Sequence, residues 1–253
     1  MAHQFKKKFG QNFLRDENLL KKIVATAQIK NKHVIEIGPG EGGLTKHLVN
    51  EATSIKAYEI DETLKQSLQN LESHYPNLDV IFQDFLSVES FDTSFDHIIG
   101  NIPYNITSPI LFKILDLEHI HAITFMVQKE FAERLSAQPN SKAYNALSVM
   151  MQLSFDVTYA FTVTKKVFYP IPKVDSAVIT LKRTTAPDKN LHGFIKDCFQ
   201  QKRKTLQNNL FDTRAIDKHK TSSMLEELGY PPQIRAEQIN QKDFAKLYSK
   251  TLT

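Results

Sequence analysis

Hydrophobic residues in the first two-thirds of the chain follow two alternating patterns. Short, nearly continuous apolar runs are typical of buried strands, and the stretches between them have the three-to-four-residue spacing of amphipathic helices. Five runs predict strands: His33–Gly38, Ser54–Ile60, Leu78–Gln83, Phe95–Asn101 and Ala122–Gln128. The predicted helices are Leu44–Asn50, Glu62–Glu72, Ser108–Leu115, Glu130–Leu135 and Asn145–Phe155. Strands that alternate with helices indicate a parallel sheet with helices on both faces.

The alternation stops in the following segment. Val157–Val163 and Ser176–Lys182 predict two strands without a helix between them, joined by the Pro-containing loop Lys165–Lys173. Consecutive strands without a crossover helix favour an antiparallel pairing. We therefore predict an α/β fold with a Rossmann-like sheet that has an antiparallel edge.

The C-terminal part of the chain is predicted to be helical. A linker at 184–188 precedes the helices, which are predicted at Leu191–Leu210, Ser222–Leu228 and Lys242–Ser249. We predict two domains, one over residues 1–184 and a small helical one over residues 185–253.

The formal net charge of +4 is unevenly distributed. From Lys182 onward there are 14 Lys and Arg against 8 Asp and Glu, whereas the preceding residues have a net charge of −2. The single cysteine, Cys198, excludes an internal disulfide and a Cys-based metal cluster and fits a reducing compartment. No apolar run has membrane-spanning length. We expect a cytoplasmic protein that contacts neither a membrane nor a metal ion.

A glycine-rich turn follows the first predicted strand. Gly38, Gly40 and Gly43 fit G-x-G-x-x-G at a strand-to-helix junction, where glycines let the backbone approach a ligand closely. Glu59 ends the second predicted strand, 21 residues after Gly38, and an acidic residue there accepts hydrogen bonds from ribose hydroxyls. These features alone fit NAD and S-adenosylmethionine equally well.

Two further residues favour S-adenosylmethionine over a dinucleotide. Pro39 removes a backbone N–H where a pyrophosphate would need one. The carboxylate of Glu36, just before the turn, favours a cationic ligand. Asp84 follows the third predicted strand and is placed to accept a hydrogen bond from an adenine amino group. We therefore predict S-adenosylmethionine as the cofactor.

The segment Asn101-Ile102-Pro103-Tyr104 follows the fourth predicted strand, at the edge where open α/β sheets bind ligands. The Asn101 side-chain oxygen and the Ile102 carbonyl are suited to accept hydrogen bonds from an exocyclic amine such as adenine N6. Such acceptors stabilise the charge that develops on the nitrogen during methylation, and the Tyr104 ring offers a stacking face for a flipped-out base. By itself the turn predicts amine methylation and leaves RNA, DNA and protein amide substrates open.

Three other segments have a composition that fits a nucleic-acid methyltransferase. Residues 8–14 form a basic, aromatic and amide-rich segment that could cover a cofactor pocket. Phe168 lies in the loop before the last predicted strand and could provide a second stacking face. A basic helical patch is predicted over Phe199–Leu210, with Lys202, Arg203 and Lys204 inside it; the alternative is a solvated helix face.

In this order, the segments closely resemble the KsgA/Dim1 family of ribosomal RNA adenine dimethyltransferases. The shared patterns are F-G-Q-N-F-L, E-I-G-P-G-x-G-x-L-T, N-I-P-Y, F-x-P-x-P-K-V-D-S-A-V and R-K-T-L-x-N-N-L, and the resemblance extends from about Lys6 to Leu247. The family commonly has consecutive arginines in the last block and an Arg after its Leu. Here Lys202 precedes Arg203 and Gln207 follows Leu206, which reduces the positive charge by one at most, so RNA contact is still expected.

The resemblance implies a class I S-adenosylmethionine-dependent methyltransferase with a small C-terminal RNA-binding domain. It also implies transfer of two methyl groups to N6 of each of two adjacent adenosines near the 3′ end of 16S ribosomal RNA, within a small-subunit assembly intermediate. The implied cofactor contacts are Asn12, Leu14, Gly38, Glu59, Asp84 and Asn101. The residues expected to hold the target base are Asn101, Ile102, Tyr104 and Phe168, and those expected to bind RNA are Lys202, Arg203 and Lys204.

Three alternatives remain open from the sequence. An Erm-type enzyme, which methylates an adenosine of 23S ribosomal RNA and confers macrolide resistance, would share the cofactor turn and N-I-P-Y. The second is a ribosome-assembly factor whose chemistry is secondary, a role that can coexist with the enzymatic one in this family. A NAD-dependent oxidoreductase would share the glycine turn but gives no reason for N-I-P-Y. We expect the small-subunit enzyme, acting as a monomer and contributing to small-subunit maturation.

Overall fold

The computed structural model describes residues 13–252. Its strands are β1 (Phe13–Leu14), β2 (His33–Ile37), β3 (Ser54–Glu59), β4 (Leu78–Phe82), β5 (His97–Asn101), β6 (Ala122–Gln128), β7 (Phe155–Val163), β8 (Phe168–Tyr169) and β9 (Ser176–Arg183). Its helices are α1 (Glu17–Ala27), α2 (Thr45–Leu48), α3 (Lys65–Glu72), α4 (Thr107–Leu115), α5 (Lys129–Leu135), α6 (Ala146–Ser154), α7 (Lys189–Cys198), α8 (Leu206–Arg214), α9 (Lys218–Glu227) and α10 (Gln241–Thr251). The predicted strand–helix alternation is confirmed.

Seven of these strands form one sheet in the order β4-β3-β2-β5-β6-β9-β7. The strands from β4 to β6 pair in parallel, and β9 pairs antiparallel with β6. The predicted α/β fold with an antiparallel edge is therefore confirmed. The chain runs outward from β2 to β4 and then returns to β5, so strand order reverses between β2 and β5. Open α/β sheets bind ligands at such a switch point.

The central parallel strands β2 and β5 are mostly buried, as expected of strands covered on both faces, and this explains their nearly continuous apolar sequences. Val34, Ile35, Ile98 and Ile99 of β2 and β5 are almost completely inaccessible to solvent. The core that includes β2 also contains residues of α1. Burial of these side chains stabilises the sheet that carries the functional side chains at its strand ends.

Helix α1 is a feature that the sequence interpretation did not include. Asp16 caps it, because its side chain accepts a hydrogen bond from Leu19 N at 3.0 Å. Leu20, Ile23, Val24 and Ala27 lie on its buried face, with the spacing of an amphipathic helix. The apolar spacing of a helix was therefore visible in the sequence. It lies before His33–Gly38, the first strand from which the alternation of strands and helices was recognised.

The predicted continuous helix Leu191–Leu210 was wrong, because the chain leaves the helical path between α7 and α8. The buried Asn209 side chain donates to the carbonyls of Cys198 and Gln201, at 2.9 and 3.2 Å, and accepts from Gln201 N at 3.2 Å. These bonds satisfy backbone groups that an uninterrupted helix would have paired internally. The basic residues predicted on a helix therefore lie in a loop.

The described residues divide into two compact units. One contains the residues up to Ala132 together with Thr158–Arg183, and the other contains Glu133–Val157 and the residues from Thr184 onward. The sequence division at 184/185 is thus close to one of these boundaries, but residues 133–157 group with the C-terminal helices.

Hydrogen bonds explain that grouping of residues 133–157. Within the second unit, Tyr144 Oη donates to Ile239 O at 2.9 Å, and Thr185 Oγ1 donates to Leu153 O at 2.9 Å. These bonds join segments far apart in sequence, so periodicity in the sequence does not reveal them. The assignment of a catalytic and an RNA-binding role to separate domains stays a prediction.

Candidate active site

A cavity of about 470 Å³ lies at the carboxyl ends of the parallel strands in the first unit. The structure brings together seven of the residues predicted for the cofactor and the target base, since all of them line this cavity: Leu14, Gly38, Glu59, Asp84, Asn101, Ile102 and Tyr104. Asn12 lies outside the described residues. The roles of these residues stay predictions, whereas their convergence on one cavity is an observation.

The carboxylate of Glu59, at the end of β3, is held by backbone donors on two sides. Gly40 N donates to Oε2 at 3.0 Å, and Asp61 N donates to Oε1 at 2.8 Å. Burial raises the pKa of Glu59, and these backbone hydrogen bonds oppose the rise. An ionised carboxylate has about four acceptor positions, and Glu59 also has a backbone hydrogen bond from Ile60, so it retains capacity for a ribose hydroxyl.

The glycine turn has a geometry that only glycine adopts without strain. Gly38 and Gly40 have φ values of +69° and +59°, in the left-handed region. A Cβ atom on Gly40 would lie 2.7 Å from Cε1 of Phe13. The turn therefore packs directly against β1, and this close approach explains why glycine is required there.

Three acidic side chains from neighbouring strands line the cavity: Glu36 near the end of β2, Glu59 at the end of β3 and Asp84 just after β4. Glu36 is only 1% exposed, and its Oε2 has no hydrogen-bond partner among the described residues. Asp84 Oδ1 accepts from Leu86 N at 2.9 Å, which orients the carboxylate. Pro39 also lines the cavity. These carboxylate acceptors fit a cationic nucleoside such as S-adenosylmethionine and do not fit a pyrophosphate, which needs N–H donors and positive charge.

The segment Asn101–Tyr104 connects the end of β5 to α4 along the cavity wall. Ile102 N donates to Met126 O at 3.1 Å, so the turn is fixed to the neighbouring strand β6. The hydroxyl of Tyr104 lies 3.0 Å from Oγ of Ser176 at the start of β9, and burial raises the pKa of Tyr104. Strand pairing and this hydrogen bond therefore hold the turn at both ends.

Phe168 occupies a different environment from the one expected of a stacking residue. It is 3% exposed, belongs to the hydrophobic core, and does not line the cavity. Its strand β8 pairs with β1, with Phe168 opposite Leu14. The structure thus brings Phe168 close to a cavity-lining segment but leaves its ring covered, and its stacking role stays a prediction.

Lys202, Arg203 and Lys204 lie in the loop between α7 and α8. Lys204 Nζ is 2.7 Å from Asp212 Oδ2, and Lys202 Nζ is 3.9 Å from Glu237 Oε2. Arg203 is exposed. The three side chains are on the surface of the second unit, as a phosphate-binding segment requires, and two of them already have acidic neighbours.

Ile60, Phe85 and Arg15 are among the cavity-lining residues that the sequence interpretation did not name. Ile60 is 47% exposed, which is unusual for a large apolar side chain, and Phe85 is buried. Ile60 directly follows Glu59, and Phe85 directly follows Asp84. Their positions next to strand-end carboxylates could have indicated that they line the cavity. Arg15 also lines the cavity, and one of its guanidinium nitrogens is 3.4 Å from Glu41 Oε2. Nothing in the local sequence indicated that ion pair.

Residues 13–252 contain no group of three or more His, Cys, Asp or Glu side chains arranged to hold a metal ion. Among the same residues, no helix combines the length and apolar character needed to cross a membrane.

Comparison with known proteins identifies the family. The model of the ribosomal RNA adenine dimethylase family matches residues 2–249. A protein of Aster yellows witches'-broom phytoplasma (strain AYWB), named Ribosomal RNA small subunit methyltransferase A, is 48% identical over 262 residues, covering 99% of this chain and 97% of its own length. A protein of Mycoplasmopsis pulmonis (strain UAB CTIP) with the same name is 43% identical, covering 96% of this chain and 97% of its own.

Two solved structures have the same fold over most of the chain. A dimethyladenosine transferase from Plasmodium falciparum has a TM-score of 0.78 and 28% identity, covering 93% of this chain and 95% of its own. The 23S rRNA methyltransferase ErmE has a TM-score of 0.73 and 29% identity, covering 96% of this chain and 100% of its own. The fold class predicted from the sequence is confirmed by these structures.

The cavity chemistry and the comparisons agree. Carboxylates at three neighbouring strands, a glycine turn and the Asn101–Tyr104 turn occur together in a chain that matches the family model over nearly its whole length. The predictions of the family, of S-adenosylmethionine as cofactor and of a methyltransferase that acts on ribosomal RNA adenine are confirmed. The chain belongs to the ribosomal RNA adenine dimethylase family.

Proposed function

We propose that this protein dimethylates N6 of two adjacent adenosines near the 3′ end of 16S ribosomal RNA and thereby contributes to small-subunit maturation. One observation carries the proposal: the Asn101–Tyr104 turn lines the same cavity as Gly38, Glu59 and Asp84. A target amine at the turn would therefore be next to the methyl donor. The relatives named Ribosomal RNA small subunit methyltransferase A support the choice of substrate.

The turn provides the acceptors that the amine requires. In the proposed mechanism, the Asn101 side-chain oxygen and the Ile102 carbonyl accept hydrogen bonds from N6 and draw its lone pair out of conjugation with the ring. The bound cofactor supplies an electrophilic methyl group. Acceptors fixed before the reaction stabilise the developing positive charge without reorganisation, and Ile102 is fixed by its bond to Met126 O.

Proton removal needs no dedicated base in this mechanism, because a methylated adenine N6 is strongly acidic until it loses its proton. Asn101 and Ile102 therefore act by position, and Tyr104 supplies a face on which the extruded base stacks. The hydroxyl of Tyr104 lies within hydrogen-bond distance of Ser176, which supports a fixed ring orientation. For Phe168 to stack on the opposite face, its covered ring would have to become accessible when RNA binds.

We assign RNA contact to the loop that contains Lys202, Arg203 and Lys204, in the second unit. Its side chains would bind phosphates, which gives affinity with little sequence information and a strong dependence on salt. We further propose that the substrate is an assembly intermediate of the small subunit, that the enzyme acts as a monomer, and that it is located in the cytoplasm, where its substrate is assembled.

The decisive experiment is mass spectrometry of adenosines in the 3′-terminal region of small-subunit RNA, with and without the active protein. We expect two adjacent dimethyladenosines only when the protein is present. Unmodified adenosines in both samples, with the protein folded and the cofactor supplied, would refute the proposal.

The Erm-type activity is the second candidate, supported by the similarity to ErmE at 29% identity. The relatives named as small-subunit enzymes have identities of 41–48%, which favours the first candidate. Incubation of both subunit RNAs with labelled S-adenosylmethionine separates the two, since label on large-subunit RNA alone would overturn our choice.

An Asn101→Ala variant tests the mechanism and separates it from an assembly role. We expect methyl transfer to fall about 10²- to 10³-fold, the usual effect of removing one preorganised polar group at a reacting centre, while precursor subunits still bind. Asn105→Ala is the matched control, because Asn105 lines the cavity but belongs to none of the proposed contacts. Unchanged transfer by Asn101→Ala would refute the mechanism.

A further inference from the structure

Glu36 is the acidic residue of the cavity whose burial the cofactor turn does not explain. It lies on β2, in the middle of the sheet, between Ala57 of β3 and Ile99 of β5 in the register. Its side chain is 1% exposed and lines the cavity, and Oε2 has no partner within hydrogen-bond geometry among the described residues. The buried hydroxyl of Thr45 acts on the same carboxyl group, but it too has no partner within that geometry. Buried polar atoms are nearly always paired, so an unpaired carboxylate oxygen facing a cavity indicates a ligand.

The ionisation of Glu36 differs from that of its acidic neighbour. Burial raises the pKa of Glu36 to about 8; the Thr45 hydroxyl opposes this rise, and the negative charge of Glu59 adds to it. Both oxygens of Glu59 accept backbone hydrogen bonds, whereas Glu36 has one oxygen without a partner. At pH 7, a group with this pKa is protonated in roughly nine molecules of ten.

The two forms of the cofactor differ in charge at one atom. The sulfur of S-adenosylmethionine is a permanent cation, and methyl transfer leaves the neutral thioether of S-adenosylhomocysteine. A cation in a poorly solvated cavity lowers the pKa of a neighbouring carboxyl group. Both ligands carry the same α-ammonium and α-carboxylate groups, so the sulfonium charge alone would make the donor displace the proton of Glu36 and let it return in the complex with the product.

We infer that Glu36 discriminates between donor and product: its buried carboxylate strengthens binding of the sulfonium over the thioether, and a proton leaves the protein when the donor enters. This inference rests on the proposed function for the identity of the cofactor. It assigns Glu36 a role in cofactor exchange that is separate from the ribose and adenine contacts proposed for Glu59 and Asp84. Product release is then favoured by the same charge that favours donor binding.

Other ionisable groups line the cavity and must be distinguished from Glu36. The remaining carboxylates are Glu17, Glu41, Glu59 and Asp84, and the cations are Arg15 and Lys46. Tyr58 and Tyr104 complete the set, and burial raises the pKa of both phenols above their usual value. Glu17 pairs with His47 and Glu41 pairs with Arg15.

Calorimetry in two buffers with different ionisation enthalpies counts the protons released on binding. With the wild-type protein near pH 7, we expect release approaching about one proton with S-adenosylmethionine and much less with S-adenosylhomocysteine. Donor affinity should rise with pH up to about 8, the pKa of Glu36 in the free protein, and then level off. Equal proton release with both ligands would overturn the inference even if no variant were available.

The variant Glu36→Gln removes the titrating group at nearly constant volume. We expect the ratio of donor to product affinity to fall about tenfold, or about 1.4 kcal/mol, and the proton release to disappear. Titration of the ligand's own amino group is common to both proteins and cancels in the comparison. Glu41→Gln is the matched control and should retain the wild-type ratio and proton release.

A Glu36→Gln protein that binds both ligands with the wild-type ratio would overturn the role of Glu36 and leave the proposed function intact. A wild-type protein that binds no S-adenosylmethionine at any pH would refute the proposed function, and the inference with it. If Glu36→Gln does not fold, the wild-type comparison of the two ligands decides.

Discussion

The backbone N–H of Gly40 donates to the carboxylate of Glu59, with 3.0 Å between Gly40 N and Glu59 Oε2. This bond ties the turn after β2 to the end of β3, so that the two parts of the predicted cofactor site hold each other. The other oxygen of Glu59 accepts from Asp61 N at 2.8 Å. Glu59 therefore stabilises the turn and also faces the cavity. We expect a mutation of Glu59 to affect both protein stability and cofactor binding.

Glu59→Gln should lower both stability and cofactor affinity. An amide has one acceptor oxygen where the carboxylate has two, so one of the donors Gly40 N and Asp61 N is left unpaired in a buried site. Such a loss costs about 1–3 kcal/mol, and we expect the free energy of unfolding in urea to fall by this amount. Binding of S-adenosylmethionine, measured by calorimetry, should weaken about tenfold or more. Glu62→Gln, an exposed change nearby, is the control.

Gly40→Ala should disrupt the contact between the turn and β1. Its Cβ would lie 2.7 Å from Phe13 Cε1, and the residue has a φ of +59°. We expect a loss of about 1–3 kcal/mol in stability from overpacking, together with backbone strain, and weaker cofactor binding. Thermal unfolding and calorimetry measure the two effects.

Gly229→Ala provides the control for strain alone. Gly229 has a φ of +80°, but a Cβ there would meet nothing within 4 Å. We expect this variant to lose less stability than Gly40→Ala and to keep its cofactor affinity. Equal losses of stability in the two variants would contradict the importance of the Phe13 contact.

Substitution of Tyr104 separates its ring from its hydroxyl. Tyr104→Ala removes the proposed stacking face, and base–aromatic stacking contributes about 1–3 kcal/mol, so we expect kcat/KM for RNA to fall roughly 5- to 150-fold. Tyr104→Phe keeps the ring and loses only the contact with Ser176 Oγ, and its kcat/KM should stay within about tenfold of wild type, as expected for one neutral hydrogen bond. Steady-state methylation assays test both variants, and equal losses would rule out stacking as the main role.

Arg203→Ala and Lys204→Ala should differ in their effect on RNA affinity, although each removes one charge. Lys204 is 2.7 Å from Asp212, whereas Arg203 is exposed. A side chain with an acidic neighbour releases fewer counterions when it binds a phosphate. We expect Arg203→Ala to reduce the slope of log affinity against log salt by about one unit, and Lys204→Ala to reduce it less. RNA binding at several salt concentrations measures the slopes, with Lys242→Ala as an exposed control in the same unit.

The positions of the cofactor residues could be predicted from the sequence because of a simple geometric rule. Parallel strands end at one edge of the sheet, so Gly38, Glu59, Asp84 and Asn101, each at or just after a strand end, were bound to converge there. Strand location follows from nearly continuous apolar runs, which burial on both faces requires. The residues that line the cavity could therefore be predicted from the local sequence pattern and from the order of the strands along the chain.

Other features depend on contacts between distant segments, which local pattern does not record. Asn209 ends α7 through bonds to Cys198 and Gln201, although the apolar periodicity continues across the break. Phe168 is buried by packing of β8 against β1 and the core, although its motif suggested an open stacking face.

The sequence by itself determined the fold class, the order of the strand ends and the chemistry of the site, because these depend on side-chain type and on periodicity. The tertiary structure decided which of those side chains reach the cavity and which are covered by other parts of the fold. Glu36 illustrates the difference: its carboxylate was visible in the sequence, but its burial, its unpaired oxygen and its raised pKa follow from the strands on either side of it. Desolvation is a property of the packed surroundings, so only the folded chain sets it.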